Sequence, residues 1–199
     1  MISEFGVNSM SGKLRKVAIR RPSAILSADN KEWNYSKPLN QEGLLNQYAH
    51  FVTLLEDAGA EILWFDDTDD ALADSIFTYD PSFMLGSGSV LLRPGKEKRL
   101  GEIDVHRRFY ERCGIPIIGE IESPGTLEGG DCFWLDEATL AVGKGFRSND
   151  AGISQLRDIV SAEGIEVIQF DLPFYKGPES TFSFANIIPF IFCNCVSFG

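Results

Sequence analysis

The stretch Thr126-Leu127-Glu128-Gly129-Gly130-Asp131-Cys132-Phe133-Trp134-Leu135 sets two carboxylates around a double glycine in what otherwise reads as a buried strand over 127–135. Sheets disfavour both residue types. Glycine weakens a strand unless another backbone or a ligand comes close, and an acid near a core needs a positive partner. The segment therefore predicts a close approach and a cation. A second acidic site, Ile76-Phe77-Thr78-Tyr79-Asp80-Pro81, lies upstream. From Asp80 to Arg99 is nineteen positions, and from Glu128 to Arg147 is nineteen again. Each arginine falls just ahead of a predicted helix, where the macrodipole favours acids, and such a local mismatch tends to mark a functional site.

Working outward, three segments share one order: strand, helix, glycine, then a strand rich in branched residues. The first runs Lys16-Val17-Ala18-Ile19-Arg20, a helix over 41–58, Gly59, and a strand from Glu61. The second runs a strand over 76–85 and another over 89–93, a helix over 102–113, Gly114, and a strand from Ile115. The third runs a strand over 127–135 and another over 139–143, a helix over 150–163, Gly164, and a strand from Ile165. The glycines, 55 and 50 positions apart, fit left-handed helix stops, and the spacing is that of a supersecondary repeat. In the first helix Leu44, Leu45, Tyr48, Phe51, Val52 and Leu55 form one stripe and are expected in the core. Ser148 or Asp150 is expected to cap the third helix through a short oxygen side chain.

The 199 residues carry 18 lysines and arginines against 29 acids, and 44% are apolar. That bounds the chain to one or two globular domains and disfavours nucleic acid as a partner. The cysteines Cys113, Cys132, Cys193 and Cys195 show neither a disulfide framework nor a zinc or redox spacing, and no signal peptide opens the chain; reduced thiols, a cytoplasmic setting and no metal are expected. Residues 1–13 read as a flexible arm and 14–180 as the main domain. Beyond them, 181–199 is a tail whose stretch from Phe182 lacks charge and holds five of the fifteen phenylalanines, too short and too interrupted by Pro189 for a membrane span. A shifted reading frame is one explanation for that tail.

Taken together, Phe77-Thr78-Tyr79-Asp80-Pro81, Lys98-Arg99-Leu100-Gly101-Glu102, Leu127-Glu128-Gly129-Gly130-Asp131 and Gly143-Lys144-Gly145-Phe146-Arg147-Ser148-Asn149 resemble the guanidino-group-modifying superfamily. It includes dimethylarginine dimethylaminohydrolase, arginine deiminase and amidinotransferases. The resemblance implies an α/β fold, a propeller of repeated ββαβ modules of which this chain holds about three of five. It implies a small-molecule guanidino substrate, arginine or a methylarginine, and no cofactor.

A guanidinium is planar and is held best by carboxylates in its plane, which points to Asp80 and Glu128. By resemblance, Glu128 is the catalytic acid that orients the reacting group, Arg147 receives the substrate carboxylate, and Arg99 assists. Asp131 is open between ligand contact and support of the glycine turn. In the family a cysteine attacks the guanidinium carbon and a histidine serves as acid and base. After Lys176-Gly177-Pro178-Glu179, however, Ser183 stands where a histidine is expected, and no residues correspond to the module that carries the nucleophile. Of the two histidines, His50 is expected in water and His106 half-buried and structural. Cys132 and Cys113 are expected to be packed in the core, and Cys193 and Cys195 are poor metal ligands. The chain is thus expected to bind without turning over. The alternatives are an amidinotransferase or arginine deiminase fragment, or a non-catalytic binding module, and a homo-oligomer is possible for each.

Overall fold

The computed structural model describes residues 5–6, 8–65, 71–172 and 196–198. Its fold is α/β, with three helices among the described residues: α1 (Gln41–Asp57), α2 (Glu102–Cys113) and α3 (Asp150–Ser161). The strands are β1 (Lys16–Ile19), β2 (Glu61–Trp64), β3 (Ser82–Leu85), β4 (Gly88–Leu91), β5 (Ile117–Glu120), β6 (Cys132–Asp136), β7 (Thr139–Lys144), β8 (Glu166–Asp171) and β9 (Val196–Phe198). Among the described residues they form three three-stranded sheets, ordered β2-β1-β9, β3-β4-β5 and β6-β7-β8.

The second and third sheets have one topology. In each, an antiparallel hairpin is followed by a helical crossover to a strand that pairs in parallel with the hairpin's second member: β3-β4 then β5, and β6-β7 then β8. Parallel pairing requires such a crossover. In the first sheet α1 links β1 to its parallel partner β2, and β9 lies antiparallel on the other side of β1. All three glycines take the left-handed conformation expected of them, with φ of 79° at Gly59, 68° at Gly114 and 74° at Gly164.

Alternation along β3 and β4 joins the second sheet to both neighbours. Phe83, Leu85, Val90 and Leu92 pack with Trp134, Leu140, Val142, Ile153 and Leu156 of the third module. Met84 and Leu91 point the other way, into a cluster with Ala18, Phe65, Val105, Phe109 and Tyr110. Side chains at successive strand positions face opposite sides, so a strand with both faces buried can serve two cores.

Several expectations need correction. The strand expected over 127–135 begins only at Cys132, because Gly129–Asp131 form a 3-10 turn. The strand expected over 76–85 begins at Ser82, after a 3-10 turn at Ala73–Ile76 and past Pro81, which has no N–H to give a ladder. The α3 cap is neither Ser148 nor Asp150 but Asn149, whose Oδ1 accepts from Gly152 N at 2.8 Å. On α1, Leu45 is exposed and only Leu55 of the stripe is fully buried; Tyr48, Phe51 and Val52 lie partly buried against Val17 and Ile19. Cys113 is exposed, since it ends α2 beside the Gly114 stop, whereas Cys132 is buried as expected. In the segment expected to be an arm, Phe5 packs against the core shared by the first two modules. Residues 1–4 and 7, and most of the 181–199 tail with Ser183, Cys193 and Cys195, lie outside the described residues.

Candidate functional site

Asp80 and Glu128 each stand on a short link that precedes the hairpin of their module, and the two links meet. The N–H of Gly129 donates to the carbonyl of Asp80 at 3.0 Å, and that of Gly130 to Asp80 Oδ1 at 3.2 Å. The double glycine is explained here: a Cβ on Gly129 would collide with the Tyr79 carbonyl oxygen, and one on Gly130 would lie 2.8 Å from Asp80 Oδ1. A neighbouring backbone demands the first glycine, and the Asp80 side chain leaves little room at the second.

All five residues singled out by sequence come together. Arg99 Nη1 lies 2.8 Å from Asp80 Oδ2 and 3.8 Å from Glu128 Oε2. Arg147 Nη1 lies 2.6 Å from Glu128 Oε2 and 4.0 Å from Asp80 Oδ2, while its Nη2 donates to Asp131 Oδ1 at 3.0 Å. Each acid therefore pairs with the arginine nineteen positions on, and each arginine also faces the acid of the other module. The cation expected beside the acids is, in this structure, the protein's own guanidinium. Arg99 and Arg147 differ in access, however: 5% of the Arg99 side chain is exposed against 27% of Arg147.

Two further contributors to the site are not among the five that the sequence singled out for it. Ser148, fully buried, donates its hydroxyl to Asp131 Oδ2 at 2.6 Å and accepts from the Glu128 N–H at 3.1 Å, tying the glycine turn to the segment that carries Arg147. Glu102, also fully buried, faces Arg99, accepting from Nε at 3.0 Å and from Nη2 at 2.8 Å. The remaining support is main chain: Gly95 N donates to Glu128 Oε1 at 3.1 Å. The nearest sequence signal for Glu102 was its place in the Lys98–Glu102 motif; Ser148 offered none beyond helix capping.

The balance of charge is negative. Among the described residues, Asp80, Glu102, Glu128 and Asp131 form their ion pairs with Arg99 and Arg147, four carboxyls to two arginines, all four nearly or wholly buried. Burial, reinforced by the charge of Asp80, pushes the Glu128 carboxyl up to about 7 against the opposing pull of Arg147 and Arg99. Burial likewise raises Glu102 to about 7, although Arg99 opposes it. For Arg99, burial disfavours the charge, and Asp80, Glu102 and Glu128 outweigh it, keeping it cationic. Glu128 Oε2 makes its 2.6 Å ion pair with Arg147 but accepts no well-directed hydrogen bond.

The other candidates lie elsewhere in function. His106 is wholly rather than half buried, its Nδ1 2.8 Å from Ser82 Oγ and its ring 4.6 Å from that of Phe65; burial pushes it down to about 3, so it is neutral. His50 is exposed on α1. The Cys132 thiol is buried and burial pushes it well above its ordinary value, which suits packing rather than nucleophilic attack.

The repeated α/β modules with paired acids and arginines are those of the guanidino-group-modifying superfamily. A family model, arginine deiminase, matches residues 68–171, just over half of the chain, and the chain belongs to that family. It is 33% identical over 155 residues to N(G),N(G)-dimethylarginine dimethylaminohydrolase of Streptomyces coelicolor, with 77% of this chain and 58% of that one covered. With the Pseudomonas aeruginosa protein of the same name it shares 27% over 121 residues, 61% of this chain and 47% of the other. The chain thus spans roughly half the length of these curated relatives. Its fold matches the solved Pseudomonas aeruginosa enzyme complexed with citrulline at a TM-score of 0.70, with 23% identity and coverage of 81% and 62%.

Proposed function

We propose that this chain forms the substrate-recognition part of a hydrolase acting on the guanidino group of arginine or a methylarginine, of the dimethylarginine dimethylaminohydrolase type. On this reading its modules are three of the five in a propeller. The observation that carries it is the convergence of Asp80 Oδ2 and Glu128 Oε2 on one point, now filled by arginine nitrogens at 2.6–4.0 Å. A planar cation entering there meets both carboxylates, relieves the excess of negative charge and gives Glu128 Oε2 the directed donor it lacks. Asp131 and Ser148 hold the turn and one edge of Arg147. Arg147, the more accessible arginine, swings to meet the ligand carboxylate, for which its flat fork is suited.

The same reading makes the polypeptide a binder without turnover. Its two histidines are a surface residue on α1 and a walled-in neutral one, and Cys132 is a packed thiol. Calorimetry with L-arginine and with dimethylarginine tests recognition, and citrulline release tests turnover. Binding without release is expected. Absence of binding by either compound overturns the recognition claim, and clear release by this polypeptide overturns the claim of inactivity.

A further inference from the structure

We propose that Glu102 is a positioning residue for the Asp80–Glu128 pair and acts through Arg99, an inference that rests on the guanidinium-binding reading above. Glu102 takes the whole Nε–Nη2 edge of Arg99 in a two-pronged contact, at 3.0 and 2.8 Å. The carbonyls of Asp74 and Phe77 lie 3.4 Å from Nη2. With that edge fixed, Nη1 can point only between Asp80 Oδ2 and Glu128 Oε2, where it is found. Arg99 thus has a carboxylate or carbonyl at every nitrogen and is held beside Asp80 and Glu128 as an internal counter-ion.

The internal repeat supplies the control. A shift of 48 positions carries Asp80 onto Glu128, Arg99 onto Arg147 and Glu102 onto Asp150. Asp150 does not clamp Arg147; its side chain is 66% exposed and pairs with Lys144 at 2.6 Å. The two arginines have therefore diverged, one locked by a buried acid and one left with 27% of its side chain in solvent. Helix capping does not account for Glu102 either, since α2 has Gly101 at its cap with no side-chain bond and both Glu102 oxygens are spent on Arg99. A buried ion pair is costly to desolvate and is often no more stable than an apolar pair of the same size, so a role in specifying geometry is the natural reason for one here. Electrically, Glu102 offsets part of the Arg99 charge, so carboxylates still outnumber arginines around Asp80 and Glu128.

The test uses the full chain and the variants Glu102→Gln and Glu102→Asp, the second keeping the charge with a shorter reach. Binding of L-arginine is measured by calorimetry at pH 8. Order of the arginine side chains is read without ligand from nitrogen-15 resonances of the Arg99 and Arg147 guanidinium groups. Glu102→Gln is expected to weaken L-arginine binding about tenfold, the scale of one lost charge-assisted contact. It should also merge the Arg99 Nη resonances, distinct in the parent, while leaving those of Arg147 unchanged. Loss of Arg99 order is expected in Glu102→Asp too, which decides the matter should the glutamine variant not fold. Unchanged Arg99 resonances, or unchanged affinity in a folded Glu102→Gln protein, overturns the proposal. Should the parent itself not bind L-arginine, the recognition reading falls and the Arg99 resonances alone decide the role of Glu102.

Discussion

Arg147 Nη1 stands 2.6 Å from Glu128 Oε2, and the same nineteen-residue relation recurs in the preceding module between Asp80 and Arg99 at 2.8 Å. A spacing seen in sequence is thus a physical ion pair made twice, with cross distances of 3.8 and 4.0 Å knitting the copies together. Replacing Glu128 by Gln keeps the shape and removes one charge from the point where both modules meet. The loss expected in L-arginine affinity is about 1.5–3 kcal/mol, the range for hydrogen bonds to charged groups. Calorimetry of E128Q beside the parent measures it.

Acidity should modulate binding through the same carboxyl. Burial holds Glu128 up to about 7, and a guanidinium favours its ionised form, so affinity is expected to rise with pH up to about 7 and then level, with protons released on binding below that value. The ligand-free protein should behave in the opposite sense. An acid with a folded value above its unfolded value, near 4.3, stabilises the fold below the unfolded value and loses that contribution as pH rises through the folded one. Melting temperature is therefore expected to fall between pH 5 and 8, and less steeply in E128Q. Parallel melts in one buffer series decide this.

The glycines make a graded prediction. Gly129→Ala drives a methyl into the Tyr79 carbonyl, and neither backbone can retreat without breaking the Gly129–Asp80 bond, so a loss of about 3 kcal/mol or more is expected. At Gly59 a Cβ meets nothing within 4 Å, leaving only the strain of a φ of 79°, about 1 kcal/mol. Urea unfolding of the two variants should separate them.

Ser148→Ala removes the donor to Asp131 and strands the buried Glu128 N–H. Leaving such groups unmade costs about 1–3 kcal/mol each. Stability should drop by that order and L-arginine affinity with it, because the turn that carries Glu128 loses its anchor. Thermal melts and calorimetry on one preparation record both effects.

Much of this was legible in the chain itself. The helices and their glycine stops follow from local rules, the 3.6-residue period and the left-handed conformation, and the structure ends α1, α2 and α3 beside Gly59, Gly114 and Gly164. The pairing of acids with arginines was legible because it is repeated. What failed was long-range. The Gly129–Gly130 turn is set by Tyr79 and Asp80, some fifty residues away, and looks like strand when read locally. Ser148 has the chemistry of a helix cap and was drawn off to Asp131, leaving Asn149 to cap. Leu45 and Cys113 kept the helical period but fell where the packing ends.

The contacts of Gly129 and Gly130 with Asp80 mean that neither acid-bearing segment reaches its final shape without its neighbour. Any small molecule that bridges Asp80 and Glu128 would then act as a staple between two consecutive folding units, raising the melting temperature with the logarithm of its concentration over its dissociation constant once that ratio is well above one. Thermal shift across a panel of guanidino compounds thus becomes a ranking of ligands that requires no chemistry from the protein at all.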